Sequence, residues 1–284
     1  MVFGRERIEY KTPDQVLRMR AAGLVVADAL AAVRSAVEPG LTTADLDRVA
    51  ADVIAEAGAT PSFLGYHGYP ATLCVSVNDE VVHGIPGART LEAGDVVSID
   101  CGAIVDGWHG DSAITVVLDA DGGADPLDLE LAATTEDAMW AGIAALALGT
   151  RLGDVGEAVE DVVDTALETG RNGGQRYGIV EEYVGHGIGT AMHQPPDVLN
   201  YRTRDRGARL RPGLCVAVEP MLVRGSRFTQ VLEDDWTVVT DDGARASHWE
   251  HTVAIGEHGI WVLTSQDGGA GRLADHGVIV APVG

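Results

Sequence analysis

The chain has 284 residues, 46% of them hydrophobic, which is enough for one large core or two modest ones. Its formal net charge of −23 speaks against a nucleic-acid-binding protein, which carries a basic face, and would favour cationic ligands such as a peptide α-amine, although solubility alone explains it equally well. The opening Met1–Lys11 is charged, with no apolar core of a secretory signal, and no apolar run approaches the roughly 20 residues of a membrane-spanning helix.

In chain order, Thr12-Pro13-Asp14-Gln15 reads as a helix start. Thr is the N-cap, Pro fits the first helical position, and Gln three residues on completes a capping box. The apolar stripe is expected along Val16, Leu17, Met19, Ala21, Leu24 and Val25, and Pro39-Gly40 ends the stretch. A second helix should follow Thr42 or Thr43 and stop at Gly58. Strand-like segments come next, with Asp106-Gly107 as a two-residue hairpin turn. That turn sets Val105 opposite Trp108, Gly102 opposite Asp111 and Asp100 opposite Ala113. A second helix pair is expected from Asp125-Pro126 to Gly149 and from about Gly153 to Gly170. The tail from Gln266 is Gly-rich, then weakly apolar, and reads as loosely packed. Cys74, Cys101 and Cys215 lie in apolar contexts without CxxC spacing, as reduced core thiols of a cytoplasmic protein do.

The chain repeats itself. Leu91-Glu92-Ala93-Gly94 leads through an apolar run to Asp100, and Leu210-Arg211-Pro212-Gly213 leads through another to Glu219. The junctions rhyme too, Gly40-Leu41-Thr42-Thr43-Ala44-Asp45-Leu46 against Gly149-Thr150-Arg151-Leu152-Gly153-Asp154-Val155. Each half reads helix, helix, then strands closing on a carboxylate. The expectation is one α+β domain over 1–265 with internal pseudo-two-fold symmetry, an antiparallel sheet covered by two helix pairs, and a tail over 266–284.

An acid at the end of a Val- and Ile-rich run is costly to bury unless a cation meets it. Asp100 and Asp111 would share a sheet face as diagonal neighbours about 7–8 Å apart at Cα. Glu219 and Glu250 end or enter two further apolar runs, and His186 lies in Gly185-His186-Gly187. Glycines on both sides would let backbone approach a ligand closely, and neutral imidazole suits a divalent transition metal. Four carboxylates would leave negative charge uncompensated by one divalent ion, whereas two ions neutralise it.

These segments, taken with Tyr66-His67-Gly68-Tyr69-Pro70, Asn78-Asp79-Glu80-Val81-Val82-His83-Gly84-Ile85-Pro86, Gly107-Trp108-His109-Gly110-Asp111 and Trp249-Glu250-His251-Thr252, resemble type I methionine aminopeptidases over about residues 8–265. The resemblance implies a pita-bread fold and hydrolytic removal of the initiator methionine before a small second residue. It implies Asp100, Asp111, His186, Glu219 and Glu250 as ligands of two divalent ions (Co, Mn, Fe or Zn). Glu219 would be general base and acid, His83 would meet the scissile amide, and His193 would hold the carbonyl oxygen. Phe63, Tyr66, Tyr69, Cys74, Met192 and Trp236, with His83 and His193, would line the methionine pocket. Phe63 and Met192 differ from the residues usual at their positions, and Val82 replaces a cysteine common in the family. The resemblance further implies action on nascent N-termini; a cytoplasmic monomer in transient contact with the ribosome is expected, and the charge and the lack of a long apolar run leave neither nucleic acid nor membrane as an expected partner.

Two rivals fit less well. X-Pro aminopeptidases and prolidases usually carry a large N-terminal domain, and type II enzymes insert a helical subdomain before the last glutamate. Glu219 to Glu250 spans only 31 positions (250 − 219). Pita-bread binding modules characteristically lose ligands, whereas all five are present here.

Overall fold

The computed structural model describes residues 8–119 and 122–283, so most of the charged opening segment lies outside the described residues. The first half contains α1 (Pro13–Ala36), α2 (Thr43–Glu56), β1 (Thr60–Pro61), β2 (Leu73–Val77), β3 (Glu80–Val82), β4 (Val96–Val105) and β5 (Trp108–Val117). The second contains α3 (Pro126–Leu148), α4 (Gly153–Glu168), β6 (Gly178–Ile179), β7 (Gly185–Gly187), β8 (Gln194–Val198), β9 (Cys215–Val218) and β10 (Met221–Val223). After these come β11 (Thr229–Val231), β12 (Val238–Thr240), β13 (Ala246–His248), β14 (Glu250–Ile255), β15 (Ile260–Val262) and α5 (Ala270–Ala274).

Local chemistry explains the helix starts. Thr12 Oγ1 accepts from Gln15 N while Gln15 Oε1 accepts from Thr12 N, the reciprocal box read from the sequence. The rhyming junctions share one device. Asp45 Oδ2 accepts from Thr42 N at 2.7 Å, and Asp154 Oδ2 accepts from Arg151 N at 3.0 Å, each tying back three residues to close the first turn. The repeated glycines are also alike. Gly94 and Gly213 have φ of 87° and 88°, a left-handed turn that glycine adopts without steric cost just before each strand.

The apolar stripe of α1 departs from expectation. Leu17 and Ala21 face solvent, and Leu24 and Val25 are half-buried. Val16, Met19, Ala22, Gly23, Val26, Leu30 and Val33 face inward instead. Small residues decide this. At Gly23 a Cβ would stand 2.2 Å from the Leu263 carbonyl oxygen, and at Gly110 on β5 it would stand 2.7 Å from Gly23 N. The helix approaches the sheet through backbone rather than through its largest side chains.

The main sheet runs β1-β4-β5-β14-β9-β7-β8, with β2 added on β4 and β15 on β14, all antiparallel. β4 and β5 come from the first half and β9, β7 and β8 from the second. β14 joins them. Helix α1 packs on β4 and β5, and α3 on β5, β9 and β14, so the second helix pair reaches across the seam between the halves. The hairpin has the register its turn dictates, Val105 opposite Trp108, Gly102 opposite Asp111, and Asp100 opposite Ala113. Asp106 and Gly107 both have positive φ, as a type I′ turn requires. Asp100 sits in the middle of β4 rather than at a strand end, because the hairpin extends the strand five residues past it.

The segment expected as a loosely packed tail is better packed than its composition suggests. It holds α5 and buries Leu273 and Val278 against the core. Ala281 N donates to Ile260 O at 2.9 Å, extending the contact along β15.

Candidate metal centre and side-chain pocket

One row of the sheet carries most of the site. Asp100 on β4 pairs with Ala113 on β5, and Ala113 pairs on its other side with Glu250 on β14. Directly opposed residues share a face, and so does Asp111, two positions from Ala113. His251 opposes Val218, which brings Glu219 beside Glu250 at the end of β9. β7 pairs with β9 through Gly187 and Val216, adding His186 to the same cavity. Ala113 is fully buried, and its small side chain leaves room for the acids around it. Thr252 fixes β14 to β5, its hydroxyl donating to Asp111 O and accepting from Asp111 N.

Asp111, His186 and Glu250 bring ligand atoms within 4.8 Å of one another. Asp100 and Glu219 line the same cavity outside that tight group. Asp100 Oδ1, Asp111 Oδ1 and Glu250 Oε1 are buried with no hydrogen-bond partner among the described residues. A buried carboxylate oxygen without a partner is costly. Burial pushes the carboxyls of Asp100 up to about 7 and Glu219 up to about 8, with Glu219 repelling Asp100 further. Asp111 and Glu250 are raised well above the carboxylate range by burial first and by their acidic neighbours second. His186 is pushed down to about 3 by burial, so it is neutral. Its Nδ1–H donates to Gly187 O at 3.0 Å, leaving the Nε2 lone pair 3.4 Å from Glu219 Oε1. Crowded carboxyl oxygens and one free imidazole nitrogen are what a divalent cation requires, and such a cation would take the place of the protons that these raised carboxyls hold. The donor set fits a metal.

A second wall of the same cavity, of about 110 Å³, is apolar and soft. Phe63, Tyr66, Tyr69, Cys74, Val82, His83, Met192, His193 and Trp236 line it. Tyr69 is buried, its hydroxyl shared between Leu73 O at 2.9 Å and Gly84 O at 3.0 Å. Trp236 meets Tyr69 edge-on at 5.0 Å between centroids and is held by a turn in which Asp234 Oδ1 accepts from Trp236 N and Thr237 N. His83 has φ of 60°, an uncommon conformation for a non-glycine residue, and burial lowers its imidazole to about 4. His193 packs edge-on against His186 at 4.3 Å, and Tyr66 Oη lies 2.8 Å from its Nδ1. Every side chain singled out from the sequence lines this one cavity.

Two features differ from the sequence reading. The glycines flanking His186 admit neighbouring strands rather than a ligand. A Cβ on Gly185 would meet Ala217 O at 2.4 Å, and one on Gly187 would meet Pro195 O at 2.4 Å. His248 also lines the cavity and was not singled out. It is buried, with Nε2 at 3.5 Å from Glu219 Oε2. The two-residue alternation from Glu250 back to His248 was the signal available.

A profile of metallopeptidase family M24 matches residues 17–257. The chain is 50% identical over 263 residues to methionine aminopeptidase 1 of Mycobacterium tuberculosis, covering 92% of this chain and 96% of that protein. The structure of methionine aminopeptidase from Thermotoga maritima superposes with a TM-score of 0.85 at 38% identity, covering 92% of this chain and all of that one. Prolidase from Pyrococcus furiosus, at 19% identity and a TM-score of 0.68, shares the fold, and this chain covers only 65% of it. The architecture is thus the pita-bread fold, and its acids surround a site for divalent metal. The chain belongs to metallopeptidase family M24.

Proposed function

We propose that this chain hydrolyses the first peptide bond of peptides and nascent proteins that begin with methionine and continue with a small residue. One observation carries the reading: a cavity of about 110 Å³ has buried carboxyls and a neutral imidazole on one wall and aromatic rings, a thiol and a thioether on the other. The soft wall suits an unbranched thioether side chain, which gains dispersion contact without needing a branched shape. The relatives named above support the same reading.

Asp100, Asp111, His186, Glu219 and Glu250 would hold two divalent ions of the Mn, Co, Fe or Zn kind. Asp111 and Glu250 would be shared, Asp100 would serve one ion, and His186 with Glu219 the other. Bound cations supply Lewis acidity and lower the pKa of water at the site. Glu219 takes the proton from the attacking water and returns it to the leaving amine. His83 meets the scissile amide, and His193 donates to the substrate carbonyl oxygen as charge develops there. A bulky second side chain is rejected sterically at the cavity rim. Residues 1–265 form the catalytic unit in this reading, with 266–284 outside the cavity. The chain works in the cytoplasm as a monomer, touching the ribosome only transiently. Its three free, buried thiols suit a reducing compartment.

The test is to strip the protein of metal, add back single divalent cations, and follow Met-Ala-Ser, Met-Arg-Ser and an Ala-Pro peptide. Free methionine should come from Met-Ala-Ser alone. Cleavage of the Ala-Pro peptide would place the chain with the prolidases, and equal rates on Met-Arg-Ser would remove the steric rim.

A further inference from the structure

The ring of His193 stands at the cavity mouth on the segment between β7 and β8, and which of its two distinct nitrogens carries the proton is set by the hydrogen bond that the other makes. Tyr66 Oη lies 2.8 Å from Nδ1, and no other hydrogen-bond partner of that hydroxyl occurs among the described residues. Tyr66 is held to this position by a built turn. Gly65 and His67 both have positive φ (85° and 46°), and Tyr66 N donates to Phe63 O while Tyr69 N donates to Tyr66 O. The partner segment is braced from its far side. Lys11, the only lysine of the chain, donates to Gln194 Oε1, Gln194 Nε2 donates to Glu9 Oε2, and His109 N donates to Gly189 O. A Cβ on Gly189 would stand 2.5 Å from Lys11 Cε, so the brace is closely packed.

We propose that Tyr66 is a positioning residue that donates its hydroxyl proton to His193 Nδ1 and so fixes the tautomer with the proton on Nε2, ready to donate to the substrate carbonyl. This rests on the proposed role of His193 and deepens it. Burial and the nearby Asp111 carboxyl raise the Tyr66 phenol, which keeps it a donor. The second nitrogen of a neutral imidazole must then carry the proton. Tyr66 therefore does more than wall the methionine pocket. It decides which face of His193 is a donor.

The test uses full-length, zinc-loaded protein labelled with ¹⁵N-histidine, and His193→Asn identifies the His193 resonances. Wild type should show a pyridine-like Nδ1 and a protonated Nε2. Tyr66→Phe keeps the ring and removes only the hydroxyl, and should give a mixture of tautomers. In the same variant kcat for Met-Ala-Ser should fall about 10- to 100-fold while KM changes by less than about threefold, as expected for a donor that matters chiefly as charge develops. A wild-type His193 protonated at Nδ1 would overturn the proposal, and so would a Tyr66→Phe protein with unchanged tautomer or unchanged kcat. The imidazole spectrum needs no turnover, so failure of this assignment is distinguishable from failure of the proposed hydrolysis.

Discussion

Glu219 has two environments at once. One carboxylate oxygen faces His186 Nε2 and the other faces His248 Nε2, at 3.4 and 3.5 Å. Its backbone is pinned as well, since Asn200 Nδ2 donates to Glu219 O. Glutamine at this position keeps shape and one ligating oxygen but cannot accept a proton. Glu219→Gln should therefore lower kcat by roughly 10²- to 10⁴-fold with little change in KM for Met-Ala-Ser. Full activity in that variant would remove Glu219 as the base. At this scale much of the site is legible in the sequence, because acids inside Val- and Ile-rich runs are expensive without a cation. His248 escaped because a histidine ending a short strand has an ordinary core explanation. Its position beside Glu219 depends on the pairing of β10 with β13, which no local pattern specifies.

The elements divide into those fixed by neighbouring residues and those fixed by distant ones. Capping boxes at Thr12 and Thr42 and the turn at Asp106-Gly107 are local, and their boundaries and register follow from three or four residues. The buried face of α1 is not local. It depends on Gly110 and on the Leu263 carbonyl, both far along the chain, so helical periodicity pointed to Leu17 and Ala21 and missed the glycine face. The same physics governs Gly185 and Gly187, whose missing side chains are required by strands β8 and β9. Alanine favours an isolated helix over glycine by about 1 kcal/mol. Gly23→Ala should nevertheless destabilise the protein by about 1–3 kcal/mol, because its methyl would meet backbone that cannot yield cheaply. Urea unfolding measures this, and a midpoint unchanged or raised would mean that α1 can shift away from the sheet.

For the molecule as a whole, the buried acids link stability to pH and to metal. Asp100 and Glu219, raised to about 7 and 8, hold protons in the folded metal-free protein that the unfolded chain releases near pH 4. A raised carboxyl contributes stability that is full below the unfolded pKa and lost as pH rises through the folded one. His83 and His186 are lowered, so their contribution is lost as pH falls and is complete above the ordinary histidine range. Between about pH 6.5 and 8 only the acids remain to act. The metal-free protein should lose stability across that window, and added Mn²⁺ should raise the melting temperature more at pH 8 than at pH 6. A melting temperature of the stripped protein that climbs from pH 6.5 to 8 would contradict the assignment.

The position of β14 has a consequence for how the protein comes to life. That strand follows both helix pairs and every other strand that carries a candidate ligand, yet it is the seam between the two halves and brings Glu250. A ribosome must therefore synthesise the chain through residue 255 before the seam can close. Until then the earlier acids sit on two separate half-sheets, and loop-closure entropy delays their meeting. A chain released before residue 250 is accordingly an inert fragment, and hydrolytic competence arrives all at once with the strand that joins the halves.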